Sequence, residues 1–254
     1  MAVTYASYLK VDELLQLQLP KSDPEQHDEL LFITIHQVYE LWFKQLLHEL
    51  RKVACDFDSG DTFGAIATFK RICTIMKTLV GQLDILETMT PLSFSSFRDR
   101  LESSSGFQSV QFREFEYVLG YKRPDMLQYH PEGGPARRRL EQRLRDPSLV
   151  DHFYNYLERH EVPIPASLRT RPVDQPNVAD ESVQEHLLRL YRNRGEIQIL
   201  LELMTDFDEG LQEWRYRHVK LVERSIGNKK GSGGSLGVEF LKRSLFLSVF
   251  PDLW

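Results

Sequence analysis

The feature that most constrains this chain is a stretch over residues 28–54 that contains neither glycine nor proline. Its apolar residues recur at spacings of three and four, which is the periodicity of an amphipathic helix. Asp28 and Glu29 lie near its start and Arg51 and Lys52 near its end, the charge order that the helix dipole favours. The stretch therefore predicts one long helix with an apolar face.

The rest of the chain is also mainly helical in pattern. No run alternates apolar and polar residues over six positions between turn signals, so no strand is expected. The sequence PEGGP at 131–135 predicts a loop, and four prolines within 163–180 predict a mostly non-helical connection inside one domain. We expect an all-α helical bundle forming a single domain over residues 1–254, with further helices over 62–87, 92–101, 107–119, 136–159 and 181–226.

Composition excludes several classes of protein. The 32 basic and 37 acidic side chains give a formal charge of −5, which argues against nucleic acid as a partner. Cys55 and Cys73 are the two cysteines, and their spacing excludes a disulfide scaffold and a thiolate zinc site. No apolar run reaches the roughly 18 residues of a membrane helix, and the N-terminus lacks a secretory pattern. We expect a cytoplasmic protein without a membrane or nucleic-acid partner.

Common metal and hydrolase motifs are absent. None of the eight histidines has a glutamate three residues before it, so the paired E-x-x-H units of a di-iron carboxylate bundle are missing. His48 and His160 are each followed by glutamate but lack the second histidine of H-E-x-x-H. The G-x-S-x-G elbow of many hydrolases does not occur. The sequence therefore supports neither a di-iron enzyme, a zinc peptidase nor a common hydrolase.

Two histidines lie on apolar helical stripes. His36 shares a face with Phe32 and Tyr39, and His218 shares one with Trp214 and Leu221. Either histidine alone could be a hydrogen-bonded core residue. Together they could be the axial ligand and the distal polar group on opposite sides of a buried haem, which needs only one protein ligand on an apolar wall.

Two further segments suit polar ligand groups. Arg98 lies beside Phe94 and Phe97. It could bind a carboxylate there through two parallel hydrogen bonds, or it could extend from the surface into solvent. Residues 231–237 (GSGGSLG) match neither the dinucleotide fingerprint nor the P-loop. Their backbone N–H groups could wrap an anionic group, or the segment could be an interhelical loop.

Taken together, these segments resemble the tryptophan 2,3-dioxygenase family. The resemblance covers nearly the whole chain, in order and with family-like spacing. The segments that carry it are TYASYL at 4–9, HDE at 27–29, FITIHQVYELW at 32–42, FRD at 97–99, SGFQS at 105–109, WRYRH at 214–218 and the glycine-rich turn.

The resemblance implies a helical haem b protein that assembles as a homotetramer and oxidises L-tryptophan with dioxygen. It assigns His218 as the axial ligand of the haem iron and places Ser105 and Gly106 near the haem edge. His36 corresponds to the distal histidine that meets the indole N–H, and Arg98 to the arginine that pairs with the substrate carboxylate. The expected reaction opens the indole 2,3-bond to give N-formylkynurenine.

The remaining implied substrate contacts come from three parts of the chain. Ser232 stands where the family has a threonine that contacts the substrate ammonium group. The indole pocket is expected to include Phe32 and Phe94. An N-terminal segment over residues 1–12 is expected to reach a neighbouring subunit's pocket through Tyr5, Tyr8 and Leu9.

Two departures leave alternatives open. The family turn is typically G-T-G-G-S-S-G, whereas this chain has Ser232 and Leu236 at the threonine and second serine positions. A reshaped turn would suit a haem-dependent monooxygenase that converts a substituted tryptophan to a 2-oxindole. A non-catalytic haem sensor is the third possibility, although a sensor would not need His36 and Arg98.

Overall fold

A computed structural model describes residues 2–102, 104–227 and 237–254 of the chain. Within these ranges the chain forms α-helices and short 3-10 helices but no strand, which confirms the all-α prediction. The α-helices are α1 (Tyr5–Leu9), α2 (Val11–Leu14), α3 (His27–Ser59), α4 (Thr62–Glu87), α5 (Pro91–Arg98), α6 (Val110–Val118), α7 (Pro135–Arg145), α8 (Leu149–Arg159), α9 (Ala166–Arg169), α10 (Glu181–Asn193), α11 (Gly195–Ile226) and α12 (Val238–Lys242). The 3-10 helices are Asp99–Leu101, Gly106–Gln108, Pro124–Tyr129 and Pro251–Leu253.

The two longest predicted stretches of the N-terminal half are helices with clear ends. Helix α3 continues five residues beyond the predicted end at 54, to Ser59, where Gly60 adopts a left-handed φ of 77°. Glycine takes this conformation without strain, so it ends the helix. Helix α4 has the predicted bounds, and the Asp61 side chain caps it by accepting the Gly64 N–H at 2.9 Å.

Two predicted helices are broken, and the predictions of one helix over 136–159 and one over 181–226 were wrong. Pro147 has no N–H to donate, so α7 ends before it, and Ser148 starts α8 with a reciprocal hydrogen-bonded cap to Asp151. Arg194 has an extended backbone (φ −134°, ψ 96°) that separates α10 from α11. The following Gly195 is a poor helix former, which favours a break at this point.

The core lies between the three long helices. Helix α11 packs along α4, α4 packs along α3, and α3 is covered by α6 and α8 on its other sides. Leu46, Leu50, Phe57 and Phe69 are fully buried and belong to one contiguous apolar cluster that also includes residues of α8, α10 and α11. This continuity supports the expectation of a single domain, which remains a prediction.

A buried carboxylate on α11 attaches the last residues to the bundle. Asp208 accepts the backbone N–H groups of Val249 and Phe250 at 2.9 and 3.1 Å and the indole N–H of Trp254 at 3.2 Å. The connection over 163–180 contains only one helical turn, α9, as its prolines predicted. None of the helices in the described ranges is long and apolar enough to cross a membrane.

Candidate active site

Helix α3 forms the first wall of a large cavity. Phe32 and His36 lie four residues apart, so both rings leave the same face of the helix, with centroids 4.0 Å apart. The imidazole Nδ1 of His36 lies 2.7 Å from the Phe32 carbonyl oxygen. Because a carbonyl oxygen only accepts hydrogen bonds, we assign the ring proton to Nδ1, which leaves Nε2 as an acceptor.

The charge state of His36 depends on its surroundings. Burial lowers the pKa of His36, against smaller opposing effects of the Phe32 carbonyl and the Glu40 carboxylate. The imidazole is therefore neutral at pH 7, and its Nε2 keeps a lone pair. The Glu40 carboxylate itself accepts a hydrogen bond from the Gln111 side chain at 2.8 Å.

Helix α5 supplies an aromatic cluster and an arginine. Pro91 occupies the first turn of α5, and the Thr90 side chain caps it by accepting the Ser93 N–H at 3.0 Å. Phe94 lies with its ring centroid 5.6 Å from that of Phe32, and both rings contact Phe97. Arg98 is the last residue of α5 and lines the cavity beside these rings. An arginine at the rim of aromatic rings suits an aromatic ligand that carries a carboxylate.

Helix α11 supplies the second histidine. The His218 side chain is partly accessible because it faces the cavity, and its ring stacks on Trp214 with a centroid distance of 5.1 Å. Burial lowers the pKa of His218 to about 4, and the nearby His36 adds a smaller effect in the same direction. The imidazole is therefore neutral at pH 7, the form that can bind a metal ion.

Seven of the residues proposed from the sequence line one cavity of about 810 Å³. This volume lies at the upper end of the range for small-molecule and cofactor sites, about 300–1,000 Å³. The cavity brings together side chains that are far apart in the sequence, from α3, α5, α11 and the segment that begins the 3-10 helix at 106. These residues are Phe32, His36, Phe94, Arg98, Ser105, Gly106 and His218.

One end of this cavity is basic, which the sequence analysis did not predict. Arg113 and Arg123 both donate to one carboxylate oxygen of Glu116, and Arg215 also lines this end. The Arg215 Nε is buried without a hydrogen-bond partner, although its Nη1 donates to the carbonyls of Ser244 and Leu247. Three cations around one carboxylate leave an excess of positive charge that suits an anionic ligand group.

This basic end carried no distinct sequence signal. Arg113 and Glu116 have the spacing of an ordinary helix-surface ion pair. The position of Arg215, three residues before His218 on α11, is the one available indication that it shares the side of the helix facing the cavity.

The chain between the predicted N-terminal segment 1–12 and α3 also contributes to the cavity, through residues that the sequence analysis did not single out. Leu14 and Leu17 line it. The segment is attached to α3 because the Gln37 side chain donates to the Leu17 carbonyl at 3.0 Å. Gln37 also accepts a hydrogen bond from the side chain of Gln18.

Of the other proposed residues, Tyr5, Tyr8 and Leu9 do not line the cavity of their own chain. Tyr5 and Tyr8 are 78% and 76% exposed, and Leu9 is 46% exposed, on the short helix α1. Ser232 and the other residues of the turn up to Leu236 lie outside the described residues. The described end of the turn, Gly237, lines the cavity and precedes α12.

The chain is similar to one family of known proteins over its whole length. The family model for tryptophan 2,3-dioxygenase matches residues 1–197 and 180–254. A tryptophan 2,3-dioxygenase from Herpetosiphon aurantiacus is 55% identical over 253 residues, covering 100% of this chain and 96% of that protein. Proteins of the same name from Anaeromyxobacter and Caulobacter vibrioides are 50% and 42% identical and are covered over 94% and 96% of their lengths.

The fold and the cavity define an all-α protein with one large aromatic cavity that two histidines and an arginine line. With matches over its whole length, this chain belongs to the tryptophan 2,3-dioxygenase family. It is an enzyme, and the family membership confirms the resemblance found in the sequence.

Proposed function

We propose that this enzyme binds L-tryptophan in the cavity and uses dioxygen to open the indole 2,3-bond, giving N-formylkynurenine. The observation that carries the proposal is the arrangement of Phe32, His36, Phe94 and Arg98 at one cavity that His218 also lines. The matching relatives carry the dioxygenase name, so the monooxygenase and sensor alternatives are not favoured.

The described residues fit a haem b cofactor. The cavity is mostly apolar, about 810 Å³ in volume, and His218 presents a neutral imidazole in it. Arg113 and Arg215 at the basic end suit the two carboxylates of a haem, and the Arg215 Nε has no acceptor among the described residues. We assign His218 as the iron ligand and place Ser105 and Gly106 beside the haem. The bound haem would supply the redox chemistry that activates dioxygen, which no side chain here can do.

Substrate binding follows from the chemistry of each wall. The Arg98 guanidinium would pair with the tryptophan carboxylate in two parallel hydrogen bonds. The rings of Phe32 and Phe94 would contact the indole. His36 would accept the indole N–H through Nε2, since its Nδ1–H is already donated to the Phe32 carbonyl. These contacts hold the ring in one orientation, and positioning of this kind lowers the barrier without a change in protonation.

Two further parts of the proposal concern residues away from this arrangement. Ser232 would contact the substrate ammonium group through its hydroxyl, as the family threonine does. We also propose a homotetramer in which Tyr5, Tyr8 and Leu9 reach a neighbouring subunit's cavity, because their exposure leaves an apolar surface on α1 uncovered. Both cysteines are free, which is consistent with a cytoplasmic enzyme.

The decisive experiment is mass spectrometry of the product after reaction under ¹⁸O-labelled dioxygen. The purified protein is reconstituted with haem, reduced and supplied with L-tryptophan. We expect N-formylkynurenine carrying two labelled atoms. A singly labelled, unopened oxindole would contradict ring opening, and a protein that binds haem but leaves tryptophan unchanged would contradict the proposed substrate.

A further inference from the structure

Trp214 forms the part of the cavity wall against which the His218 ring lies. The two rings are stacked, with planes inclined by 11°. On its other sides the indole contacts Phe43 and Phe112, whose ring centroids are 6.3 and 5.3 Å away. The orientation of the His218 imidazole therefore depends on where the Trp214 ring is held.

Tyr39 contacts the same indole from α3. Its ring centroid is 6.3 Å from that of Trp214, and the two planes are inclined by 59°. The Tyr39 hydroxyl donates to the backbone carbonyl of Leu79, on α4, at 2.7 Å. A phenol has one proton to donate, so the Tyr39 oxygen offers only its lone pairs to other neighbours.

The indole N–H of Trp214 faces this phenol oxygen. Burial raises the pKa of Tyr39 to about 12, and the Trp214 side chain and the Arg217 cation lower this pKa by smaller amounts. A hydrogen-bond donor lowers the pKa of a phenol because it stabilises the phenolate. The Trp214 Nε1 is buried and makes no hydrogen bond of normal geometry within the described ranges. A buried donor is stabilised by the nearest acceptor, so the phenol oxygen restrains rotation of the indole.

We propose that Tyr39 is a positioning residue for the haem ligand: anchored on the Leu79 carbonyl, it orients the Trp214 ring, and Trp214 in turn orients the His218 imidazole. This inference rests on the proposed function, because His218 must bind the haem iron. The contacts join α4, α3 and α11 in series. They therefore fix the direction of the imidazole relative to the whole bundle and not only relative to its own helix.

The test removes one hydroxyl group and keeps the ring, as Tyr39→Phe. In the haem-loaded, reduced protein we expect the iron–histidine stretching band of the resonance Raman spectrum to broaden and shift, because the imidazole is no longer held in one orientation. The rate of haem loss, measured by transfer to apomyoglobin, should rise about tenfold, the lower end of the effects seen when a group that supports a metal ligand is removed.

Tyr156→Phe is the matched control. Tyr156 is a fully buried residue of α8 that does not line the cavity, and its hydroxyl lies 2.8 Å from that of Thr62. Both variants lose one buried hydroxyl and its hydrogen bond, so both should lower the urea midpoint of unfolding by a similar amount. Only Tyr39→Phe should change the iron–histidine band and the rate of haem loss.

A double-mutant cycle with Trp214→Phe shows whether the two residues act in series. Trp214→Phe keeps an aromatic ring but has no N–H, and it should change the band and the rate of haem loss in the same direction as Tyr39→Phe. The double variant should show little effect beyond that of Trp214→Phe alone, because both changes break the same contact.

Four results would overturn the inference. These are an unchanged band and rate of haem loss in Tyr39→Phe, equal changes in Tyr156→Phe, additive effects in the double variant, and an unchanged band in Trp214→Phe. The last result is decisive even if Tyr39→Phe does not fold. Failure of the proposed function is a different result, since the unmodified protein would then show no iron–histidine band at all or would leave tryptophan unchanged.

Discussion

The indole of Trp214 and the imidazole of His218 lie stacked, with ring centroids 5.1 Å apart and planes inclined by 11°. The two residues are four positions apart on α11, so the helix itself places one ring over the other. The stacking restricts rotation of the imidazole about its side-chain bonds. An imidazole held in this way presents its nitrogen to the cavity in one direction.

Replacing His218 with alanine should abolish stable haem binding, because none of the other described side chains at this wall of the cavity offers an imidazole in its place. We expect the haemochrome of purified His218→Ala to fall to background and its Soret band to disappear or shift. His186→Ala is the control, since His186 is a half-buried residue of α10 that does not line the cavity and whose ring bonds to the Ser182 carbonyl. An unchanged spectrum and iron content in His218→Ala would remove the ligand assignment.

The lowered pKa of His218 also predicts a pH dependence of stability for the haem-free protein. In the unfolded chain the His218 imidazole is protonated below about pH 6.5, whereas in the folded protein it stays neutral down to about pH 4. The free energy of unfolding should therefore decrease as the pH falls through this window and level off below it. The loss attributable to His218 is about 3 kcal/mol.

Urea unfolding at pH 7 and pH 4.5 measures this effect. His218→Gln, which does not titrate, should lose less stability than the unmodified protein over the same interval. Equal losses in both proteins would show that other groups cause the acid sensitivity.

Arg98→Ala should weaken transition-state stabilisation by about 2–5 kcal/mol if its pair with the substrate carboxylate is desolvated. Lysine should restore little, because an ammonium group lacks the planar fork of a guanidinium. The measurement is kcat/KM for L-tryptophan in the three proteins. The carboxylate assignment would be wrong if the unmodified enzyme oxidised tryptamine, which has no carboxylate, as well as it oxidises tryptophan.

The tautomer of His36 predicts a selective response to methylation of the substrate. His36→Ala should reduce kcat/KM for L-tryptophan about tenfold, the upper range for one neutral hydrogen bond. It should reduce kcat/KM for 1-methyltryptophan much less, because that substrate has no indole N–H to donate. Equal reductions for both substrates would show that His36 acts through shape and not through Nε2.

Removal of residues 1–12 should weaken both assembly and tryptophan binding. In the proposed tetramer a neighbouring subunit covers the exposed rings of Tyr5 and Tyr8. The truncation removes these rings, and with them a contact between subunits. Light scattering and KM measurements test the two effects together. A milder double variant, Tyr5→Ser with Tyr8→Ser, should shift both in the same direction, and a fully active monomer of either variant would refute the coupling.

The sequence predicted the helical elements well where periodicity or a cap was strong. Helix α4 has the predicted bounds, and the apolar stripes of His36 and His218 do lie on one cavity. The break at Pro147 was missed, although proline within a helical pattern is itself a sufficient signal. Helical spacing thus predicts the face on which each of the two histidines lies. Glycine, proline and capping residues predict most helix ends.

The basic end of the cavity could not have been predicted in the same way. Arg113, Arg123 and Arg215 come from three separate parts of the chain, and a buried arginine has the same side chain as a surface one. Only packing shows that Arg113 and Arg123 pair with Glu116 and that Arg215 lies near the same carboxylate. No sequence pattern indicated that Leu14 and Leu17, which follow the predicted N-terminal segment 1–12, line the cavity of their own chain.

The attachment of α12 has a consequence for which substitutions this part of the chain tolerates. Phe240 is held by Arg123, and the carbonyls of Ser244 and Leu247 are held by Arg215, so α12 depends on residues outside the glycine-rich turn. Among the described residues, both attachments are made by arginines that also line the cavity, so a substitution at either arginine should change the position of α12 as well as the charge of the cavity.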